Sequence, residues 1–310
     1  MNNNPLVTVI IPCYNVSNYV EKAIRSILQQ TYQNLEVLII NDASTDDTLS
    51  KIKTVTDKRI RIIDFEKNTQ KVGAVNVVLK QAKGDLITFQ DADDWSEPNR
   101  IEEQVNQFLK HPNLGICFTG YRFAGKKTFV PERIAVSDAE LKDEFLDFGR
   151  KKNKTFTATN CPSMMITSEV LNKTGGYHPY FAGRVAEDIQ WVYRILKQFE
   201  GITVDKVLYN YSIREGSFTQ VQFSGKNAKY AYSWHLLSKI IYKDIHENID
   251  LLDPKNKGQL DEIELQACEE ALISTISLLN ETKKVYENSM SFKIGKCILS
   301  PLHFLKSFKR

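Results

Sequence analysis

The run Asp91-Ala92-Asp93-Asp94 places two carboxylates two residues apart, directly after the apolar segment from Leu86 to Phe89. In an extended or turning backbone such a pair can direct its oxygens at one point. Hard oxygen ligands suit Mg²⁺ or Mn²⁺, which then bridge phosphate oxygens. Aspartate is also common in exposed turns, so the pair by itself fits a metal site and a plain turn equally well. A calcium-binding loop matches poorly, because its sixth position is Ser96 instead of glycine.

Asp42 is a second acidic candidate, and it follows another apolar segment. Its carboxylate can accept hydrogen bonds from a base N–H or from ribose hydroxyls. A helix cap is the alternative role, but Ser44 is better placed for that. Two cations, Lys71 and Arg214, are candidate phosphate partners, with solvated surface as the alternative for each.

Glu187 and Asp188 stand at the predicted start of a helix. The helix dipole favours carboxylates in a first turn and keeps them ionised. Helix stability alone would explain this placement. A general base, which must be unprotonated at working pH, would explain it equally well.

The elements that position these residues alternate between strand and helix patterns. Helical spacing after Asn18, with Glu21 three residues later, predicts a helix that opens with a capping box, and Ser44 with Asp47 predicts another. The alternation predicts an α/β fold with a Rossmann-like, mostly parallel central sheet flanked by helices. The predicted strands are Leu6 to Pro12, Leu35 to Ile40, Ile60 to Phe65 and Leu86 to Phe89.

Ligands of such sheets bind beyond the carboxyl ends of the strands. The polar residues at these ends should therefore converge on one rim. They are Pro12-Cys13-Tyr14-Asn15, Asn41-Asp42, Asp64 and Asp91-Ala92-Asp93-Asp94.

The remainder of the chain is less regular. Residues 125 to 159 are polar and charged, and we interpret them as an irregular segment near an active-site edge that contains one acidic helix around Asp138 to Phe148. A short strand is predicted from Met164 to Ile166. The pattern predicts a helix from Glu187 to Phe199, and long helices with charged faces from Lys226 to about Asn288.

Bulk composition excludes several classes of protein. The 310 residues are 42% hydrophobic and 25% charged, a composition unlike that of disordered or fibrous proteins. The net charge of +3 is smaller than the basic charge that is usual for nucleic-acid-binding proteins. The five cysteines are scattered, without a C-x-x-C pair, as expected for reduced thiols in the cytoplasm. No basic leader opens the chain, so we expect no signal peptide, and no apolar run approaches the ~18 residues of a membrane span.

The tail from residue 291 to 310 combines apolar and basic side chains. This mixture suits the surface of an anionic membrane, here the inner face of the cytoplasmic membrane. It suits equally well docking on the chain's own domain or on a second copy, with a homodimer formed through the C-terminal helices. Its basic residues are Lys293, Lys296, Lys306, Lys309 and Arg310.

Five segments, taken in order, resemble glycosyltransferase family 2, whose catalytic domain has the GT-A fold. The resemblance covers roughly residues 5 to 220, and five ordered motifs are far more specific than any one of them. The segments are Val7 to Asn15, Asn41 to Thr48, Lys83 to Asp94, Gly175-Gly176-Tyr177 followed by Ala186-Glu187-Asp188, and Tyr211 to Thr219.

The resemblance implies a catalytic domain over residues 1–222, with a donor half to about 123 and an acceptor half from about 124. A helical extension would follow over 223–310. It also implies roles at the site. Pro12, Tyr14, Asn15 and Asp42 would hold the nucleoside, with Lys71, Ala92 and Arg214 also at the donor. Asp91 would lie at the ribose and the metal, Asp93 would be the main ligand of Mn²⁺ or Mg²⁺, and Asp188 would be the base, supported by Glu187.

The implied reaction is a metal-dependent, inverting hexosyl transfer from a nucleotide sugar, such as a UDP-hexose or UDP-N-acetylhexosamine. The acceptor would be a hydroxyl of a glycan or lipid-linked molecule in surface-polysaccharide synthesis. A nucleotidyltransferase of similar architecture and a catalytically inactive sugar-binding relative are the alternatives.

Four positions depart from the family pattern, and one of them is Arg214, which stands where many members have histidine. Ala43 and Gln70 stand where glycine is usual, and Val75 stands where arginine is usual. Lys71 could supply the lost positive charge.

Overall fold

The computed structural model describes residues 3–124, 137–150, 159, 161–212 and 228–288. Its centre is a mixed eight-stranded sheet with the strand order β3-β2-β1-β4-β7-β6-β8-β5. The strands are β1 Val7–Cys13, β2 Leu35–Asn41, β3 Ile60–Asp64, β4 Leu86–Phe89, β5 Trp95–Ser96, β6 Leu114–Ala124, β7 Met165–Thr167 and β8 Glu200–Ser212.

Strands β1 to β4 run parallel, as the alternating pattern predicts. Strand β7 is antiparallel to β4 and β6, β6 is parallel to β8, and β5 is antiparallel to β8. The sheet is therefore parallel in the half that was predicted strand by strand. It is mixed in the other half, where β6 and β8 were not predicted.

Helices cover both faces of this sheet. In the described residues they are α1 Val20–Leu28, α2 Thr48–Thr54, α3 Gln70–Leu79, α4 Arg100–Lys110, α5 Asp138–Gly149, α6 Ser168–Thr174, α7 Glu187–Leu196, α8 Ala228–Glu247 and α9 Lys257–Asn288. Neither predicted capping box near the N-terminus forms: α1 begins after Tyr19 and α2 after Asp47, and neither residue caps its helix through its side chain. Both predictions were wrong, and the predicted caps, Asn18 and Ser44, lie one and three residues before the observed N-cap positions.

Alternate residues of β1 enter two separate cores, which is the expected result for a strand covered on both faces. Ile10 packs with α3, α7 and α8, whereas Val9 and Ile11 pack with α1 and α4. Helix α8 contributes Leu236 and Ile240 to the first core, so the helical extension shares a core with the sheet.

Helix α9 packs along α8 and carries the chain to the end of the described part. None of the helices described is both long enough and apolar enough to cross a bilayer. The predicted tail, residues 291–310, lies outside the described residues.

Candidate active site

The ends of β1, β2 and β3 lie side by side. Cys13 is in register with Asn41, and Asn41 is in register with Asp64. The Asn41 side chain donates a 2.7 Å hydrogen bond to Asp64 Oδ1. The predicted convergence of strand ends on one rim is confirmed for these three strands.

The loop after β1 presents Tyr14 and fixes Asn15. The Tyr14 side chain is 49% exposed, and Pro12 beside it is partly buried. Asn15 joins this loop to the loop after β2, because its backbone N–H donates to Ser44 Oγ (3.2 Å) and its Oδ1 accepts from the backbone N–H of Thr45 (2.8 Å). A ligand placed at this rim would meet the Tyr14 ring first.

Asp42 lies in the same rim, and it does not cap a helix. It is buried, and its Oδ1 accepts hydrogen bonds from the backbone N–H of Thr69 (2.8 Å) and from Thr69 Oγ1 (3.0 Å). Its carbonyl accepts from Asn68 Nδ2 (3.1 Å). Asp42 therefore ties the end of β2 to the start of α3.

Positive backbone φ angles mark this rim. Asn15 (51°), Ala43 (56°), Gln70 (61°) and Ala186 (71°) are four of the five non-glycine residues with positive φ in the described ranges. Each lies in a loop at the rim or at the start of a helix that reaches it. For residues with a Cβ this conformation is costly and collects at functional sites.

Lys71 connects two acidic clusters that are distant in the sequence. Its Nζ lies 3.8 Å from Asp91 Oδ1 and 3.7 Å from Glu187 Oε1. Val75, one helical turn later on α3, is completely buried. Lys71 thus places a cation one turn before position 75, on the same helix face.

The charges of this cluster alter one another's protonation. Burial raises the pKa of Asp91; Lys71 opposes that rise, whereas Asp93 and Asp188 add to it. Burial and then the Asp188 charge raise the pKa of Glu187 to about 7. Burial would lower the pKa of Lys71, but the surrounding carboxylates, Asp91 first, raise it well above its ordinary value.

Asp94 is directed away from the cluster into the protein. Its side chain is almost completely buried, and it accepts hydrogen bonds from the backbone N–H of Ser212 (2.7 Å) and from the Tyr209 hydroxyl (3.1 Å). Burial, with the charges of Asp91 and Asp93, raises the pKa of Asp94 well above its ordinary value. Through these contacts Asp94 fixes the turn that carries Asp91 and Asp93.

Ala92 also points inward, since its side chain is 3% exposed and packs in the core that contains α1 and α4. Any contact of Ala92 with a donor would have to be made by its backbone. Asp91 and Asp93, on either side of it, both have partly exposed side chains. This alternation leaves two carboxylates at the rim.

Two carboxylates at the rim suit a divalent cation. Asp93 raises the pKa of Asp91 through like-charge repulsion, and a cation between them would relieve that repulsion. Within the described ranges, no group of three or more His, Cys, Asp or Glu side chains is arranged to hold a metal. Mg²⁺ commonly uses one or two carboxylates together with water and substrate phosphates, so this donor set fits a metal that arrives with a nucleotide.

Glu187 and Asp188 open α7 directly after Ala186, whose left-handed backbone turns the chain into the helix. The Glu187 side chain is 12% exposed, and the Asp188 charge acts on Glu187, Asp91 and Lys71. The structure thus brings the start of α7 and the end of β4 to one place, where Lys71 lies between Asp91 and Glu187.

Two supporting groups were not predicted. Asn76 clamps Tyr177 through both backbone groups, at 2.8 and 2.9 Å, and this anchors the loop that leads to α7. A Cβ at Gly176 would come within 2.3 Å of Asn76 Oδ1, so a larger residue there would displace the amide that holds Tyr177.

Arg100 is the second supporting group. It is fully buried and donates to Phe89 O (3.2 Å) at the end of β4 and to Ser163 O (3.4 Å). Burial lowers its pKa to about 10. Gln104, four residues later on α4, also donates to Ser163 O. This spacing of two polar residues was the signal in the sequence that could have indicated a buried hydrogen-bonding pair. Arg214 lies outside the described residues.

Comparisons with known proteins agree with this geometry. The family model for glycosyl transferase family 2 matches residues 8–174. EpsE of Bacillus subtilis, a glycosyltransferase by name, is 31% identical over 221 residues, 70% of this chain and 76% of that protein. The UDP-Glc:alpha-D-GlcNAc-diphosphoundecaprenol beta-1,3-glucosyltransferase WfgD of Escherichia coli is 35% identical over 130 residues, 42% of this chain and 51% of WfgD.

Two other curated relatives are matched over only 36% and 49% of their own lengths. Among solved structures, S. aureus TarS 1-349 in complex with UDP-GlcNAc superposes with a TM-score of 0.62 over 91% of both chains, at 17% sequence identity. This likeness shows that the two proteins share the GT-A fold predicted for this chain.

Proposed function

The chain belongs to glycosyl transferase family 2, and we propose that it is an inverting, metal-dependent hexosyltransferase. Its donor would be a UDP-hexose or UDP-N-acetylhexosamine, and its acceptor a hydroxyl of a glycan or lipid-linked molecule in surface-polysaccharide synthesis. The names of WfgD and of the TarS complex, which specify UDP-Glc and UDP-GlcNAc, support a UDP donor. One observation carries the proposal: Lys71 bridges Asp91 and Glu187, so donor-side and base-side acids share one rim.

The nucleoside would lie at the ends of β1 and β2. Tyr14 offers an exposed ring for stacking on a base, and Asp42 lies beneath the loops after these strands. The diphosphate would lie between the end of β4 and the start of α3. There Lys71 is available as a cation, and Arg214 is proposed as a second one from the closing segment.

Asp93, with Asp91, would hold Mn²⁺ or Mg²⁺. Such an ion supplies charge stabilisation to the diphosphate as negative charge develops on its oxygens. The carboxylates of the two aspartates fix where that charge can be accommodated, and Asp94 holds their turn against Ser212 and Tyr209.

The reaction needs a base opposite the leaving group. We assign this role to Asp188, whose carboxylate would take the proton of the acceptor hydroxyl. The acceptor oxygen then forms a bond to the anomeric carbon, and the bond from that carbon to the diphosphate breaks with inversion. Burial and the Asp188 charge raise the pKa of Glu187 to about 7, and Glu187 is paired with Lys71, so it suits a supporting role.

The test is turnover of Asp188→Asn with a UDP-sugar and Mn²⁺. General-base help is worth ~10²–10⁴ in rate, so turnover should fall by that factor while donor affinity stays unchanged. Asp93→Ala should instead abolish metal-dependent donor binding in calorimetry. Wild-type turnover in Asp188→Asn would refute the base assignment.

The same assay separates the alternatives. A nucleotidyltransferase would release pyrophosphate from a nucleoside triphosphate, whereas the proposed reaction releases UDP. An inactive sugar-binding relative would bind the donor without transferring its sugar to water or to any acceptor, so no UDP would be released. Release of pyrophosphate, or binding with no release of UDP, would refute transferase activity.

For the tail, residues 291–310, membrane contact and protein docking remain the two proposals. Basic residues near an anionic surface contribute ~1 kcal/mol each. Flotation of the chain with liposomes containing phosphatidylserine, compared with neutral liposomes, tests the first. Absence of flotation on both would leave docking on protein as the role of the tail.

A further inference from the structure

Helix α9 carries a stripe of apolar side chains that are exposed among the described residues. Leu265, Leu272, Ile276 and Leu279 are 64%, 58%, 50% and 54% exposed, and the free thiol of Cys268 is exposed between them. The opposite side of α9 buries other residues against α8, among them Ile263, Ala267 and Ala271. The apolar stripe, defined as these five exposed positions, is therefore additional to the face that holds α9 on the protein.

The spacing of the apolar stripe is symmetric. Its members are separated by three, four, four and three residues, so the pattern reads the same in both directions from Leu272. At about 100° per residue all five lie within an arc of about 80° on one side of the helix. A two-fold axis through Leu272, perpendicular to α9, would place Leu265 on the partner's Leu279 and Cys268 on the partner's Ile276. Such self-complementarity is what an isologous interface requires.

Charged residues at the two ends of α9 obey the same symmetry. Lys257 pairs with Asp261 at 3.0 Å near the beginning, and Lys283 lies 4.0 Å from Glu287 near the end. The axis through Leu272 would set Asp261 against the partner's Lys283 and Lys257 against the partner's Glu287. Both contacts join opposite charges, whereas a parallel pairing would set each residue against its own copy.

We propose that the apolar stripe is the docking site of a second copy of this chain, with the two α9 helices antiparallel and their two-fold axis at Leu272. Exposed apolar patches of this kind mark interaction surfaces on soluble proteins. The end charges select the orientation, because only the antiparallel arrangement makes them complementary.

The first experiment is sedimentation velocity of the full chain over a range of concentrations. The wild type should reach twice the mass of one chain. Leu272→Glu puts two carboxylates together at the axis, so we expect its dimer dissociation constant to rise about 100-fold. Ile273→Glu is the matched control: it is the next residue, it is 67% exposed, and it lies about 100° away around the helix, so its dimer should be unchanged. Circular dichroism melting checks that both variants fold.

The second experiment fixes the orientation. Asp261→Lys alone and Lys283→Glu alone should each weaken the dimer, by about 10-fold, and the double variant should restore it, because the exchanged charges again face each other. In a chain with Cys268→Ser and Cys297→Ser, Leu272→Cys should form a disulfide-linked dimer under mild oxidation. The native Cys268 should not link to its own copy, because the two would lie about 12 Å apart along the helices, beyond disulfide reach.

Three results would overturn the proposal. One is a wild-type chain that has the mass of a single molecule at every concentration. In that case, crosslinks from the apolar stripe to residues 289–310 of the same molecule would identify the tail as the segment that covers the apolar stripe. Another is equal weakening by Leu272→Glu and Ile273→Glu. The third is a double charge reversal that remains as weak as the single variants.

Discussion

Glu187 should make the stability of the protein depend on pH in a defined window. Burial and the neighbouring Asp188 carboxylate raise its pKa from 4.5 to about 7 in the folded chain, against the opposing effect of Lys71. An unfolded chain would titrate the same group near its ordinary value of about 4.3. The folded state therefore binds more protons than the unfolded state between these pKa values, and the free energy of unfolding must fall as the pH rises through this window.

The size of the effect follows from the separation of the two pKa values. At about 1.4 kcal/mol per pH unit, the contribution of Glu187 should decrease by roughly 3 kcal/mol from pH 4.5 to pH 8. Glu187→Gln keeps the shape of the side chain and removes the titration. The free energy of unfolding of this variant, measured relative to wild type, should therefore rise by about that amount over the same interval.

Urea denaturation at five pH values between 4.5 and 8, with EDTA and without donor, measures this difference. The matched control is Glu169→Gln, which makes the same chemical change in the first turn of α6. There the side chain is 64% exposed and paired with Lys173. The control should differ from wild type by a constant within about 0.5 kcal/mol. A constant difference for Glu187→Gln, or one that falls with pH, would refute the assignment of a buried, repelled carboxylate at the start of α7.

Three other substitutions follow from the same contacts. Lys71→Met removes the cation beside Glu187, so the pH window just described should move to higher pH in the same urea series; an unmoved window would contradict the pairing. Gln70→Gly relieves a positive φ and should raise the free energy of unfolding by about 1 kcal/mol, whereas Lys80→Gly, at φ −67°, should lower it; a less stable Gln70→Gly chain would contradict the argument. Arg100→Met leaves buried carbonyls without a donor, so urea denaturation should show a loss of about 3 kcal/mol, and a loss below 1 kcal/mol would show that these hydrogen bonds matter little.

The parallel half of the sheet could be predicted because its signals are local. Each of β1 to β4 is a short apolar run, and parallel pairing places the ends of such runs on one edge. That rule places Asp42 and Asp91 at the same edge of the sheet. The roles predicted for these two aspartates do not depend on the structure of the loops between the strands.

Helix starts were predicted poorly because distant residues determine them. Ser44 was the predicted cap of α2, yet its Oγ accepts the backbone N–H of Asn15. This contact, with the bonds from the backbone N–H groups of Val16 and Ser17 to Thr48 and Asp46, holds the loop after β1 against the start of α2. A pattern of four residues cannot reveal a competitor thirty residues away.

Strands β6 and β8 were missed for a related reason. β6 is buried from Leu114 to Gly120 and partly exposed beyond, and β8 contains polar residues such as Asp205 and Lys206 in its middle. Neither gives a continuous apolar run or a strict alternation, so periodicity does not identify them. The two strands are held by pairing with each other across more than eighty residues, with register shifts near Gly120. A local pattern does not show such a pairing.

The departures from the family pattern acquire a physical meaning from the backbone. Ala43 and Gln70 replace the usual glycine, and both have a left-handed φ that glycine adopts without cost. The loop conformation is thus kept although the residue that favours it is absent, and Asp42, bound to Thr69 between these two positions, holds it in place. What the rim requires is the path of the chain, which brings Lys71 and the strand ends together. The side chain at each turn can change as long as neighbouring contacts offset a strain of about 1–2 kcal/mol.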